Sequence, residues 1–258
     1  MNPDDGSIAL ERDGSVAVVV LEREAKLNAL TPAMAAEFDR VLDELDRDPA
    51  VRCIVLTGTG RAFCAGSDIS TLDQYSSPWE FGQRLDYGDT LRRNRKPLIA
   101  AVNGYAFGGG LELCLSCDIR IAADTARFAA PEIKLGWVGG SGQAALLAHS
   151  IGAGNAALML LTGDPIDSAT ALSWGLVARV VAADALMDEA LTLARAIADR
   201  APLAAQSAKV DLRAAFDMST ADAIALERRM QTICFATDDA AEGRAAFTER
   251  RKPDFQGL

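Results

Sequence analysis

Short apolar runs along the chain predict the buried strands of a sheet. Residues 16–21 and 98–102 are continuous hydrophobic stretches that are too short for helices, and residues 51–57 are mostly apolar and predict a further strand. Turn-forming residues bound them, such as Asn103-Gly104 after residues 98–102. Residues 119–123 alternate in polarity and predict a returning strand.

Helical spacing of apolar residues begins after Thr31-Pro32. Thr31 is a typical N-cap and Pro32 suits the first helical position. The residues that then form one apolar face, to be laid on a sheet, are Met34, Phe38, Val41, Leu42 and Leu45. We expect this helix to end near Asp48-Pro49, and another to occupy residues 143–150.

The pattern changes from strands to helices near residue 201. Beyond Pro202 the spacing is helical throughout, with breaks near residues 218–220 and 237–238. We therefore expect a core that carries the active site at residues 1–200 and a C-terminal helical region at residues 201–258.

A glycine-rich turn follows the predicted strand 98–102. Gly108–Gly110 precede an apolar helix, where backbone N–H groups lack intrahelical acceptors and an oxygen can approach them closely. This is the physical basis of an oxyanion hole.

Two carboxylates can be expected near this turn. Glu112 lies just beyond the glycines, and the strand at 119–123 can return Glu132 to the same end of the structure. One carboxylate could then act as a general acid and the other as a general base. Taken alone, such a turn is more often a tight connection or a phosphate cradle, and a lone glutamate is more often a solvated surface charge.

Other glycine motifs do not fit the chain. The turn at 104–108 is not GxGxxG, no Gly-Lys-Ser/Thr follows it, and Phe63 stands where a dinucleotide motif at residues 58–63 needs glycine. Residues 62–66 and 106–110 instead echo one another, each after a strand. The echo suggests repeated strand-turn-helix units.

Composition and charge indicate which binding partners and which cellular compartment to expect for this protein. The formal charge of −10 argues against a nucleic-acid partner. Five cysteines without a secretory signal indicate reduced thiols and a cytoplasmic protein, and the pair Cys114 and Cys117 is interpreted as packing. The acidic start at residues 1–13 predicts no targeting segment, and no apolar run is long enough to predict a membrane span.

Four segments resemble the enoyl-CoA hydratase/isomerase family, also called the crotonase superfamily. They are RAFCAGSDI (61–69), VNGYAFGGGLEL (102–113), CDIRIA (117–122) and FAAPEIKLG (128–136). The resemblance extends over nearly the whole chain. It implies an α/β crotonase spiral of ββα units with a C-terminal helical trimerisation region.

The resemblance also implies the site residues. Glu112 and Glu132 would be the catalytic carboxylates, the N–H groups of Ser67 and Gly109 the oxyanion hole, and Gly140 would lie near the attacking water. The residues expected to bind coenzyme A are Lys26, Leu27, Ala29, Ala65, Asp68 and Ile69, with Asp68 equally interpretable as a helix cap.

Several positions depart from the family pattern. Glu24 and Gly139 stand where proline is usual, Ser67 replaces the commoner alanine, and residues 144–146 replace a polar Thr-Gln-Arg. The last change and Gly139 bear on acyl specificity. Trp137, close to the expected water site, is a candidate for shortening the acyl pocket.

The implied reaction is syn hydration of a trans-2-enoyl-CoA to the 3-hydroxyacyl-CoA, a step typical of β-oxidation. Coenzyme A is then part of the substrate, and neither a cofactor nor a metal is expected. The implied assembly is a homotrimer or a dimer of trimers.

The alternative functions are those of an enoyl-CoA isomerase, a specialised acyl-CoA dehydratase or lyase, and a non-catalytic scaffold that binds coenzyme A or RNA. A nucleophilic serine is disfavoured because His149, the only histidine, is better interpreted as packed or capping.

Overall fold

The computed structural model describes residues 6–258, which contain ten β-strands and ten α-helices. The strands are β1 (Ser7–Asp13), β2 (Val16–Glu22), β3 (Cys53–Gly58), β4 (Ala62–Cys64), β5 (Leu98–Val102), β6 (Tyr105–Phe107), β7 (Ile119–Ala123), β8 (Arg127–Ala129), β9 (Ile166–Asp167) and β10 (Arg179–Val181). The helices are α1 (Pro32–Arg47), α2 (Pro78–Gly82), α3 (Tyr87–Arg93), α4 (Gly109–Ser116), α5 (Gln143–Thr162), α6 (Ser168–Trp174), α7 (Leu186–Ala198), α8 (Pro202–Asp217), α9 (Thr220–Phe235) and α10 (Asp238–Glu249). The first five residues of the acidic start lie outside the described part.

The strands form two sheets, and successive strands from β3 to β8 alternate between them. The larger sheet has the order β1-β2-β3-β5-β7-β10, and the smaller has the order β4-β6-β8-β9. Strands β3, β5 and β7 are parallel neighbours in the first sheet, and the short strands that follow them are parallel neighbours in the second. Each repeat therefore adds one strand to each sheet, as expected for a spiral of ββα units.

The internal echo in the sequence corresponds to this repeat. Strand β4 carries the first copy and pairs in parallel with β6, at the start of the second copy, with Cys64 opposite Ala106. The two glycine-containing turns that follow these strands consequently lie side by side.

Alternating residues of the larger sheet separate two hydrophobic cores. One face carries Ala17, Val19, Ile54, Leu56 and Ala100, which pack with the apolar face predicted for α1. The opposite face carries Val16, Val18, Cys53, Val55 and Ile99, which pack beneath α7. Both faces are covered, which explains why these strands are apolar throughout.

Helix α8 is anchored to the sheet by a buried ion pair. The Lys209 ammonium lies 2.7 Å from the Asp118 carboxylate and donates a hydrogen bond to the carbonyl of Lys96. Asp118 also accepts the N–H of Leu98 at the start of β5. One lysine thus joins α8 to the point where β5 and β7 begin.

Several predicted boundaries differ from the structure, and the two largest differences are at the start of β3 and the end of α5. Strand β3 begins two residues later than expected, because the N–H of Val51 closes a turn onto Asp48. Helix α5 begins at Gln143 as predicted but extends to Thr162, with a non-helical residue at Gly152 (φ 76°, ψ 155°). By length and composition alone α5 could cross a membrane, a test that core helices of soluble proteins also pass.

Candidate active site

The N-terminus of α4 and the turn after β4 meet at one point. Gly109 is the first residue of α4, so its N–H has no acceptor within the helix. Ser67 forms a parallel bridge with Leu30, in which Gly66 and Asp68 supply the hydrogen bonds, so the N–H of Ser67 points away from Leu30. A Cβ on Gly66 would lie 2.9 Å from the nitrogen of Gly109. The structure therefore brings together the two turns that carry the predicted oxyanion donors.

Glu112 lies in the first turn of α4 and is 4% exposed. Its Oε1 accepts a hydrogen bond of 2.8 Å from the backbone N–H of Ser141. Burial raises the pKa of Glu112, and the nearby charge of Glu132 raises it further, whereas the Ser141 N–H opposes the shift. A carboxyl group with a raised pKa is suited to proton transfer near neutral pH.

Glu132 lies in a short 3₁₀ turn, Pro131–Leu135, and is 9% exposed. Its Oε1 accepts a hydrogen bond of 3.0 Å from the side-chain amide of Gln143. Its Oε2 is buried and has no hydrogen-bond partner within residues 6–258. Burial raises the pKa of Glu132, partly offset by its own N–H and by Gln143.

Gly108 allows the two carboxylates to share one site. Its backbone has φ 56° and ψ −124°, a conformation that side chains disfavour. A Cβ there would also lie 2.9 Å from Oε1 of Glu132. The Gly108 carbonyl accepts the N–H of Glu112, so a single glycine contacts both glutamates.

These groups line a cavity of about 400 Å³. Predicted residues at its wall are Ala65, Ser67, Ile69, Gly109, Glu112, Glu132 and Gly140, together with Trp137. The segment 70–95 contributes further residues, namely Leu72, Phe81, Gly82, Arg84, Asp86 and Tyr87. The predicted catalytic and oxyanion residues are therefore found together.

Tyr87 was not identified as a site residue from the sequence. Its hydroxyl lies 3.1 Å from the Ser67 hydroxyl and 1.8 Å from the position a Cβ on Gly109 would take. Burial raises the pKa of Tyr87, so the hydroxyl keeps its proton at neutral pH. Tyr87 is one of four aromatic residues in the polar segment 70–95, with Tyr75, Trp79 and Phe81, and no local pattern distinguishes it from the others.

Asp86 was also missed, although it had a recognisable signal. It caps α3 by accepting the N–H groups of Gly88 and Asp89, a pattern typical of an Asp before a helix. The same carboxylate accepts the hydroxyl of Ser141, the residue that binds Glu112. This second contact connects the cap to Glu112, and Asp86 also forms part of the cavity wall.

The predicted coenzyme A residues fall on two adjacent segments. Ala65 donates its N–H to the carbonyl of Leu27, which places the loop with Lys26 and Ala29 beside the turn after β4. Of this set, Ala65 and Ile69 line the cavity. The Asp68 carboxylate caps a 3₁₀ helix and binds Arg23 at 2.7 Å.

The sole histidine and the CxxC cysteines do not belong to the site. His149 is exposed and stacks on Phe216, which is also exposed, with ring centroids 5.0 Å apart, so it makes a surface ring contact and is not packed in the core. Cys114 and Cys117 are buried free thiols, and burial raises the pKa of Cys114 to about 12. A thiol with so high a pKa is a poor nucleophile.

Comparisons with known proteins agree with this geometry. The sequence model of the enoyl-CoA hydratase/isomerase family matches residues 11–258. The probable enoyl-CoA hydratase echA8 of Mycobacterium bovis is 42% identical over 96% of this chain and 97% of its own length. The mitochondrial enoyl-CoA hydratase of Pongo abelii is 40% identical over 95% of this chain and 85% of its own. The solved structure of an enoyl-CoA hydratase from Bacillus anthracis superposes with a TM-score of 0.92 at 31% identity, covering 97% of this chain and 99% of that one.

Proposed function

We propose that this chain, which belongs to the enoyl-CoA hydratase/isomerase family, adds water to a trans-2-enoyl-CoA to give the 3-hydroxyacyl-CoA. The observation that carries the proposal is the pair of buried glutamates, Glu112 and Glu132, at one cavity beside free backbone donors. Relatives named as enoyl-CoA hydratases, 42% and 40% identical over nearly the full chain, support the same reaction.

In this proposal the thioester carbonyl binds between the N–H groups of Ser67 and Gly109. Attack of water at C3 pushes electrons onto the carbonyl oxygen, which gains negative charge as an enolate-like transition state forms. Backbone donors that are already in place stabilise this charge, by about 3 kcal/mol for each donor in comparable sites. Since both donors are backbone groups, serine at position 67 is compatible with the role.

The two carboxyl groups carry the protons. We assign Glu112 as the base that takes a proton from water near Gly140, and Glu132 as the acid that protonates C2. The hydroxyl adds to C3 and the proton to C2, so one turnover leaves Glu112 protonated and Glu132 ionised. Proton exchange within the cavity or with solvent restores the starting state, and dehydration uses the roles in reverse.

We place coenzyme A along the segments that carry Lys26, Leu27 and Ala29 and, next to them, Ala65, Asp68 and Ile69. The Asp68 carboxylate binds Arg23, and its backbone N–H donates to the carbonyl of Leu30, so we expect Asp68 to fix the shape of the coenzyme A segment. The chemistry consists of proton transfers and the addition of water, for which we propose no metal or separate cofactor.

Two positioned carboxylates favour hydration over the alternatives. Double-bond isomerisation requires one group to move a proton, whereas addition of water requires a base for the water and an acid for carbon. Both Glu112 and Glu132 have one oxygen held by a hydrogen bond and line the same cavity. A binding scaffold for coenzyme A or RNA would have no need of this arrangement.

We also propose a homotrimer or a dimer of trimers, located in the cytoplasm. Large apolar side chains are exposed on α8, α9 and α10, and an interface would cover them. They include Leu212, Phe216, Ile233, Phe235 and Phe247.

The proposed function is tested by mixing purified protein with crotonyl-CoA. We expect loss of the absorbance of the conjugated thioester and formation of 3-hydroxybutyryl-CoA. A parallel assay with a 3-enoyl-CoA tests isomerisation. Failure to hydrate crotonyl-CoA and longer 2-enoyl-CoAs, with isomerisation observed, would replace the hydratase by the isomerase.

The chain-length preference should depend on Trp137. This side chain is 41% exposed and lies on the cavity wall close to Gly139 and Gly140. Trp137→Ala removes a large ring, so we expect the ratio of kcat/KM for decenoyl-CoA to that for crotonyl-CoA to rise at least about tenfold, the lower end of the range for one methylene in a hydrophobic pocket. Trp79→Ala, at an exposed tryptophan outside the cavity, is the control. The same ratio in both variants would show that Trp137 does not limit chain length.

A further inference from the structure

A single turn, residues 139–143, holds both catalytic carboxylates. The backbone N–H of Ser141 donates to Oε1 of Glu112 at 2.8 Å. Two residues later, the side-chain amide of Gln143 donates to Oε1 of Glu132 at 3.0 Å. The contact to Glu112 is available to any residue at position 141, whereas the contact to Glu132 requires this particular side chain.

The Gln143 amide is fixed in place by its surroundings. The residue is 2% exposed, at the start of α5, and its nitrogen also lies 3.5 Å from the Gly108 carbonyl. A Cβ added to Gly139 would lie 2.5 Å from Oε1 of Gln143 and 2.7 Å from its Cβ. Glycine at position 139 therefore provides the space that the Gln143 side chain occupies.

The hydrogen bond makes the two oxygens of Glu132 different. Oε1 is occupied as an acceptor, whereas Oε2 is the buried oxygen without a partner in residues 6–258. When Glu132 is protonated, the proton is consequently carried by Oε2. We propose that Gln143 is a positioning residue of the hydration reaction, which holds Oε1 of Glu132 so that Oε2 delivers the proton to C2; this inference rests on the proposed function.

Gln143→Met tests the inference because methionine keeps the length of the side chain and removes the donor. We expect kcat for crotonyl-CoA hydration to fall about 10- to 100-fold, the range for loss of a hydrogen bond to a charged group, because Glu132 becomes ionised as it releases its proton to C2. KM should change by less than about twofold, since the amide contacts Glu132 rather than substrate. Gln206→Met, in α8 and away from the cavity, should leave both constants unchanged.

The pH profile separates positioning from a structural defect. The Gln143 N–H lowers the pKa of Glu132, so its removal raises that pKa. Hydration requires protonated Glu132, and the alkaline limb of kcat/KM should therefore move to higher pH in Gln143→Met. The other ionisable groups that face the pair are Arg84, Asp86 and Tyr87, which all remain in the variant.

Gly139→Ala is a second substitution that should break the hydrogen bond between Gln143 and Glu132. The added methyl group must displace the Gln143 side chain, so this variant should reproduce the loss of kcat and the shifted alkaline limb. Because both changes break one contact, Gly139→Ala/Gln143→Met should be no slower than the slower single variant. If Gln143→Met does not fold, Gly139→Ala decides the question by the same two readouts.

The outcomes distinguish this inference from the proposed function. Wild-type protein that hydrates no 2-enoyl-CoA overturns both. An active wild type with unchanged kcat in Gln143→Met overturns only the role of Gln143. A lower kcat without movement of the alkaline limb also overturns it, because it would indicate a packing defect.

Discussion

Glu112→Gln should lower kcat for crotonyl-CoA hydration by at least about 10³-fold, within the range for removal of a general acid or base. Glutamine keeps the size of the side chain and can still contact the Ser141 N–H through its oxygen, but it cannot take a proton from water. The defect should therefore appear in kcat, with KM nearly unchanged. Initial rates measured from the absorbance of the conjugated thioester provide the test.

Glu132→Gln should cause a loss of the same order, because protonation of C2 would lack its donor. The double variant should be less than about tenfold slower than either single variant, since the groups act in one step and their effects do not add. Glu227→Gln, at an exposed position of α9, is the matched control. If either active-site variant retained more than about a tenth of wild-type kcat, that carboxylate would have no essential role.

The largest effect on stability is expected for Lys209→Met. We expect the free energy of unfolding to fall by about 3–5 kcal/mol, the usual result of removing one partner of a buried ion pair. Asp118 would lose the ammonium at 2.7 Å and, among residues 6–258, keep Arg213 at 3.6 Å as its cationic partner. The Lys96 carbonyl would lose its donor as well.

Urea denaturation of variant and wild type at the same protomer concentration measures this change with the concentration dependence of assembly held fixed. Lys134→Met is the control, because the pair of Lys134 with Asp164 is exposed and should contribute less than about 1 kcal/mol. Asp118→Asn in the Lys209→Met background should recover part of the loss by removing the unpaired charge. Equal midpoints for Lys209→Met and wild type would show that α8 is held by its apolar contacts alone.

Much of the scaffold could be predicted because its signals are local. The bounds of β5 and β7 agree with the sequence prediction to the residue, since Pro97 and Asn103-Gly104 limit the first and alternation defines the second. The cap at Thr31 is confirmed by its hydrogen bond with the N–H of Met34. Each of these features depends on residues a few positions apart.

The support around the glutamates could not be predicted in the same way. Ser141 lies 29 residues from Glu112, and Asp86 lies 55 residues from Ser141. Such contacts depend on how the spiral returns the chain to one point, and they leave no periodic pattern. Glycine at position 139 looked like a departure that affects acyl specificity, whereas in the structure it makes room for a side chain four residues later.

The contact between Gly139 and Gln143 also limits the order in which this turn could have evolved. With Gln143 in place, any larger residue at position 139 collides with it. Glycine at 139, by contrast, imposes no collision on a smaller residue at 143. Consider a lineage that starts with a larger residue at position 139 and a smaller one at 143, and that changes one residue at a time. It avoids an intermediate with a collision only if Gly139 is acquired before Gln143.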